Sequence, residues 1–238
     1  MPKKPMIMSI VAAFLALALV TPAMGFNLNK SIKVEAGSES DGHSTVNGSI
    51  TVGSEAIVNG GIETVNGAIR VDDNARIESA QTVNGSVRLG SGVIARDLES
   101  VNGSITLDQN SSVDGEISVV NGRIGLDEGS SVSHDVSNVN GEIELVGAGI
   151  GGDLTTVNGD VTLSGNSTLS GNLVVEKPHG SNWSSRKPRI VVGPGARVLG
   201  EIRVEREVEL YISDTAEVGG VSGVMSMDQA VRFSGDRP

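Results

Sequence analysis

From about residue 30 onward the chain alternates aliphatic and polar residues over short stretches, and these stretches return at a fixed interval. The tripeptide Val-Asn-Gly marks the interval. Its Asn falls at 47, 66, 84, 102, 121, 140 and 158, spacings of 19, 18, 18, 19, 19 and 18 residues. Counting from that Asn turns the pattern into columns. Three positions later stand Ile50, Ile69, Val87, Ile105, Ile124, Ile143 and Val161; five later stand Val52, Val71, Leu89, Leu107, Leu126, Leu145 and Leu163. Four positions earlier stand Ile62, Ala80, Leu98, Ile117, Val136 and Leu154. Eight earlier the chain reads Val58, Arg76, Ile94, Val113, Val132 and Ile150, where Arg76 breaks the column and Ile77 beside it indicates a one-residue shift.

Alternation with a period of two is the signature of a strand with one buried face, and a fixed repeat below about 20 residues indicates a solenoid. A helical reading fails because the 32 glycines are spread through every segment and each would weaken a helix. The pattern therefore predicts an all-β, single-stranded β-helix of about ten triangular coils of 18–20 residues. Each coil contributes three short strands. The expected corners are Asn-Gly, a turn such as Asp72-Asp73-Asn74 or Asp108-Gln109-Asn110, and a third corner two residues before the Asn. Stacked coils lie ~4.8 Å apart, giving a rod of about 45–50 Å. At the Asn-Gly corner, Gly is expected to supply positive φ, while Asn47, Asn66, Asn84, Asn102, Asn121, Asn140 and Asn158 form an amide ladder. Asn47 and Asn102 also fit Asn-x-Ser, a pattern the repeat itself explains.

The repeats occupy 46–175, preceded by an N-terminal cap and opening coil over 26–45, in which Ile32 and Val34 begin the winding. Residues 176–189 form a protruding loop, and 190–221 resume the coils with a longer period, since Val192, Ala196 and Val198 return as Ile212, Ala216 and Val218. Over 222–238, Ser226-Met227-Asp228-Gln229 has the spacing of a capping box and predicts a short helix lying over the last coil. At the other end, Lys3 and Lys4 precede an uncharged run from Met6 to Val20, followed by Ala23-Met24-Gly25. Residues 1–25 thus read as a cleaved secretory signal, because this run is shorter than the roughly 20 residues of a membrane span. The expected location is the periplasm, the cell surface or the medium.

Composition narrows the chemistry. Three Phe, one Trp and one Tyr cannot line a haem or flavin pocket of the usual aromatic kind, and no Cys means no disulfide or thiolate metal site. With 18 basic against 29 acidic residues, a formal charge of -11, the chain is a poor match for nucleic acid. No cofactor and no catalytic set are expected. Asp97, Glu116, Asp135 and Asp153 stand five residues before successive asparagines and form a candidate cation ladder suited to Ca²⁺, although the calcium-binding nonapeptide is absent. The loop EKPHGSNWSSRKPR supplies Lys177, Trp183, Arg186, Lys187 and Arg189 as candidate partner contacts. His43, His134 and His179 lie too many coils apart to share a metal, and Ser133-His134-Asp135 on a strand would point to alternate faces, which denies it triad geometry.

With these columns and with IVVGPGARVLG at 190–200 continuing into GEIRVEREVELYI, the chain resembles bactofilins, polymer-forming β-helical proteins of bacteria. Its repeated VNGSI and VNGAI are similar to the β-solenoid repeats of exported, adhesin-type bacterial proteins. The resemblance implies a right-handed, roughly triangular coil. It departs from bactofilins in its N-terminal signal, since those are typically cytosolic. The expectation is a non-enzymatic, exported structural or adhesive element of the cell envelope that contacts glycan. The alternative is a polymer of the chain with itself, head to tail. A third class is a hexapeptide-type transferase, whose turns Gly193-Pro194-Gly195-Ala196-Arg197-Val198 are similar to.

Overall fold

The computed structural model describes residues 26–178 and 186–238. Within them the chain winds through about ten stacked coils of a β-solenoid, with one 3-10 turn at Met227–Gln229 as the only helical element among the described residues. One face is a parallel sheet of 11 strands taken in chain order, from Ile32–Val34 through Ile105–Leu107 to Val231–Phe233. The other two faces are short strands such as Ser112–Val113 and strands such as Ile117–Asn121 that end at the repeat Asn. Here they are called the first, second and third faces.

Register follows the columns. Ile105, Ile124, Ile143, Val161 and Ile190 are successive partners on the first face, all fully buried. Because Val161 pairs directly with Ile190, the 176–189 insertion leaves the stack between two adjacent coils without interrupting it. On the third face Ala80, Leu98, Ile117, Val136, Leu154 and Leu173 line up in the same way. The interior is a stack of aliphatic layers. Each apolar side chain removed from water contributes ~1.5–3 kcal/mol, set against the entropy of ordering a thin rod.

Three sequence expectations change. First, the second-face column shifts in two coils rather than one: Ile77 and Ala95 are the buried residues, while Arg76 and Ile94 face outward and pair with each other. Second, the third corner does not lie two residues before the Asn. That position is inside the third-face strand, pointing inward, where Thr45, Thr64, Thr82 and Ser100 are buried. The corner lies instead between the second and third faces, at segments such as Asp114-Gly115-Glu116. Third, the C-terminal helix is a single 3-10 turn with no buried residue, although Ser226 N–H does donate to Gln229 Oε1 at 2.9 Å. Met225, Met227 and Ala230 pack on the core, and Val231–Phe233 adds a strand to the first face alone.

Candidate functional site

The Asn-Gly corner is built on close approach rather than on left-handed backbone. Among its glycines only Gly141 has positive φ, at 129°. A Cβ on Gly103 would stand 1.7 Å from the carbonyl oxygen of Gly85, so neighbouring coils leave no volume for a side chain at this corner. Lys30 holds the equivalent place in the opening coil, where no described coil lies beneath it. The left-handed residues form a different column, at the turn between the first and second faces: Asn74 and Asn110 at φ 58°, Asn166 at 64° and glycines at 92, 129 and 195. Glu55, at φ 62°, is the strained member of that column.

The amide ladder is continuous. Each Asn Nδ2 donates to the Oδ1 of the Asn one coil earlier, from Asn47 onto Asn29 at 2.7 Å through Asn121 onto Asn102 at 3.0 Å to Asn158 onto Asn140 at 3.0 Å. Asn29, outside any Val-Asn-Gly, opens it. Arg206 closes it, donating from one guanidinium nitrogen to Asn158 Oδ1 at 2.7 Å. Behind the ladder, buried hydroxyls satisfy the glycine carbonyls: Thr64 Oγ1 donates to Gly48 O at 2.9 Å and Thr82 Oγ1 to Gly67 O at 3.1 Å. Asn138 replaces the hydroxyl in one coil; its Oδ1 accepts from Thr156 at 2.6 Å, and its buried Nδ2 has no partner. The Val of the first six repeats, from Val46 to Val139, is half-buried and belongs to the surface rather than to the core, whereas Val157 of the seventh is buried.

The four carboxylates run along the third corner. Asp97 Oδ1 accepts the Glu116 N–H at 3.1 Å, Asp135 Oδ1 that of Asp153 at 2.8 Å, and Asp153 Oδ1 that of Asn172 at 2.9 Å. They tie one coil's corner to the next. Burial raises the Glu116 carboxyl above its ordinary value, and the charges of Asp97 and Asp135 raise it further. No group of three or more potential ligands able to hold a metal occurs among the described residues. Ser133, His134 and Asp135 are exposed residues of this corner, not of a strand, so the alternating-face argument does not apply to them. His134 Nδ1 lies 2.9 Å from the Asp114 carbonyl, while the Asp135 carboxylate serves Asp153. The three form no relay. His43 Nε2 lies 3.0 Å from Ser40 Oγ, far along the rod.

Of the loop candidates, Trp183 lies outside the described residues, as does His179. The basic residues are engaged with the rod: Arg186 pairs with Asp160, Lys187 with Glu207 at 2.8 Å, and Arg189 stacks over Tyr211 at 4.9 Å. Lys177 N–H donates to Glu205 at 3.3 Å. These contacts fasten the loop's base to the flanking coils.

A concavity of mixed chemistry lies elsewhere, on the second face. A recess of about 350 Å³ is lined by Ile57, Asn59, Arg76, Glu78, Ile94 and Arg96, with Asp114 at one end. Sequence reading left Arg76 as a column defect; the consecutive 18-residue spacings from Asn66 to Asn84 to Asn102 were the signal that this stretch of rod is indented. A shallower dent of about 250 Å³ sits over Gly125 on the first face, spanned by the Arg123–Glu144 ion pair. No helix among the described residues is long and apolar enough to cross a membrane. No family model, curated protein or solved structure matches the chain.

Proposed function

We propose that this protein is a non-enzymatic, exported rod that serves as a structural or adhesive element of a bacterial cell envelope. The observation that supports this reading is the unbroken amide ladder from Asn29 to Asn158, closed by Arg206 over a continuous aliphatic core. Such a stack resists bending and displays outward side chains at ~4.8 Å intervals, a regular array suited to an extended polymer. The sequence of residues 1–25, read as a cleaved secretory signal, supports export of the rod. The test is to express the full chain in a bacterium, determine the N-terminal residue of the mature protein by mass spectrometry, and pellet it with purified cell-wall sacculi. A processed chain that co-sediments supports the reading; an unprocessed cytosolic chain, or one that stays in the supernatant, overturns it.

Self-assembly is the second reading, supported by Glu217–Gly223, the last strand of the second and third faces, which pairs along one edge with Arg197–Val204 and carries no further strand among the described residues. Nearby Val224 and Val231 are 54% and 52% exposed. An open edge beside apolar surface is a template for pairing with another chain. Light scattering across a concentration series, with and without Ca²⁺, separates the two: growth of mass with concentration selects the polymer, and a constant monomer mass selects the isolated rod.

A further inference from the structure

The recess on the second face has a specific structural cause. Between the buried residues of the second and third faces, most coils span four positions, as from Val58 to Ile62 and from Val113 to Ile117. The two coils between these span three, Ile77 to Ala80 and Ala95 to Leu98. On one side, the register slips between Val58 and Gly61 to accommodate Asn59-Gly60; on the other, Asp114-Gly115 restores the extra residue. Two short coils between longer ones leave a notch.

Its lining combines three features. Arg76 on the floor is exposed and makes no ion pair among the described residues. Beside it in the same outward column are Ile57, 41% exposed, and half-buried Ile94, an apolar shelf on either side of the cation. Around these stand fixed polar groups: Arg96 is held by Glu78 and Asp97, both at 2.9 Å, and Asn59 Nδ2 is held by Glu39 at 2.7 Å, which orients its Oδ1 acceptor. The volume, about 350 Å³, falls at the lower end of the ~300–1,000 Å³ typical of small-molecule sites.

We propose that this notch binds a single carboxylate-bearing sugar unit of an acidic glycan, with the carboxylate on Arg76, the C–H face of the ring on Ile57 and Ile94, and hydroxyls between Asn59, Glu78 and Arg96. A guanidinium donates to a carboxylate through a two-bond fork, and a sugar hydroxyl can both donate to Glu78 and accept from Arg96. A peptide adding as a strand finds no open backbone edge here, because the corner backbone is already paired: Arg96 N–H with Glu78 O at 2.8 Å and Gly115 N–H with Arg96 O at 2.7 Å. The formal charge of -11 opposes a dense polyanion, so the site fits a glycan with at most one carboxylate per sugar better than a multiply sulfated or phosphated chain. This inference rests on the reading of the rod as a glycan-facing element.

The test is titration calorimetry of the mature protein with trigalacturonate, its uncharged methyl ester and a tri-glutamate peptide. Trigalacturonate is expected to bind, with the ester about tenfold weaker and Arg76→Gln or Ile57→Asp weakening it by about the same factor. Arg203→Gln makes the same charge change at an exposed site outside the notch and is expected to bind like wild type. Matching thermal melts for the variants show that folding is preserved. Equal binding of acid and ester, an Arg76→Gln variant that binds like wild type, or no binding of trigalacturonate overturns the notch assignment. Tri-glutamate binding as tightly, and through Arg76, overturns the glycan class in favour of acidic peptide. Sedimentation with sacculi keeps the two levels apart: if Arg76→Gln still co-sediments as wild type does, the adhesive reading stands without the notch; if wild type fails to sediment, that reading falls as well.

Discussion

The Val-Asn-Gly coils and the coils after residue 190 build the same solenoid with different corners. In the first region the corner between third and first faces is uncharged: an Asn ladder outside, hydroxyls on glycine carbonyls inside, and no room for a Cβ between. In the second, Glu205-Arg206-Glu207 replaces Asn-Gly and Lys187 pairs with Glu207 at 2.8 Å at this corner, while on the second face Arg197 pairs with Glu217 of the next coil, also at 2.8 Å. The inward columns hardly change: Leu163 is followed by Val192 and Ile212, all buried. Winding is therefore set by aliphatic stacking, and the corner chemistry is one of several ways to close each turn. Ladder amides also resist salt, whereas exposed ion pairs contribute about 0–1 kcal/mol and are screened.

The largest effect should come from violating the tight corner. Gly103→Ala places a Cβ against the Gly85 carbonyl, and it is expected to destabilise by about 3 kcal/mol or more, while Gly125→Ala, with nothing closer than 3.8 Å, should be near neutral. Urea unfolding of both decides the point; equal costs would mean that the corner relaxes and the close approach is not what selects glycine. Next comes the ladder itself. Asn121→Ala removes one donated and one accepted bond, for an expected loss of about 1–2 kcal/mol, whereas Arg197→Ala in the charged region should cost no more than about 0.5 kcal/mol, a difference that widens in 1 M salt.

A gain is expected at Asn138. Asn138→Thr removes a buried unpartnered Nδ2 and restores the hydroxyl that Thr64 and Thr82 use, so the denaturation midpoint should rise by an amount corresponding to about 1 kcal/mol. An unchanged or lowered midpoint would show that Thr156 depends on the amide oxygen. The smallest effect is electrostatic. Burial raises the Glu99 carboxyl above its ordinary value, with Glu116 and Asp97 adding to it. A carboxyl whose folded pKa is raised binds its proton more tightly in the folded state, so the native chain loses stability as pH climbs from the unfolded pKa through the folded one. Glu99→Gln should therefore stabilise at pH 7 by no more than about 0.5–1 kcal/mol and make no difference below about pH 4. Melts at the two pH values check this, and an equal effect at both would assign the change to packing instead.

The sequence by itself determined the solenoid, because a period of 18–19 residues with two fully aliphatic columns has one economical solution: like side chains stacked in parallel strands. It also determined the Asn ladder, since amides repeated at one corner meet across ~4.8 Å. Only the tertiary structure decided the rest. Whether Gly103 is needed for φ or for clearance depends on the neighbouring coil's backbone, which no local pattern contains. That Asn29 opens the ladder and Arg206 closes it depends on which atoms reach the ends of the stack, across 48 residues in the case of Arg206 and Asn158. The four carboxylates stood out in sequence, but their role of accepting N–H groups from the next coil emerged from the corner's shape. Arg76 shows the same division: its place was visible as a fault in a column, while the notch around it exists only because two short coils lie between longer ones.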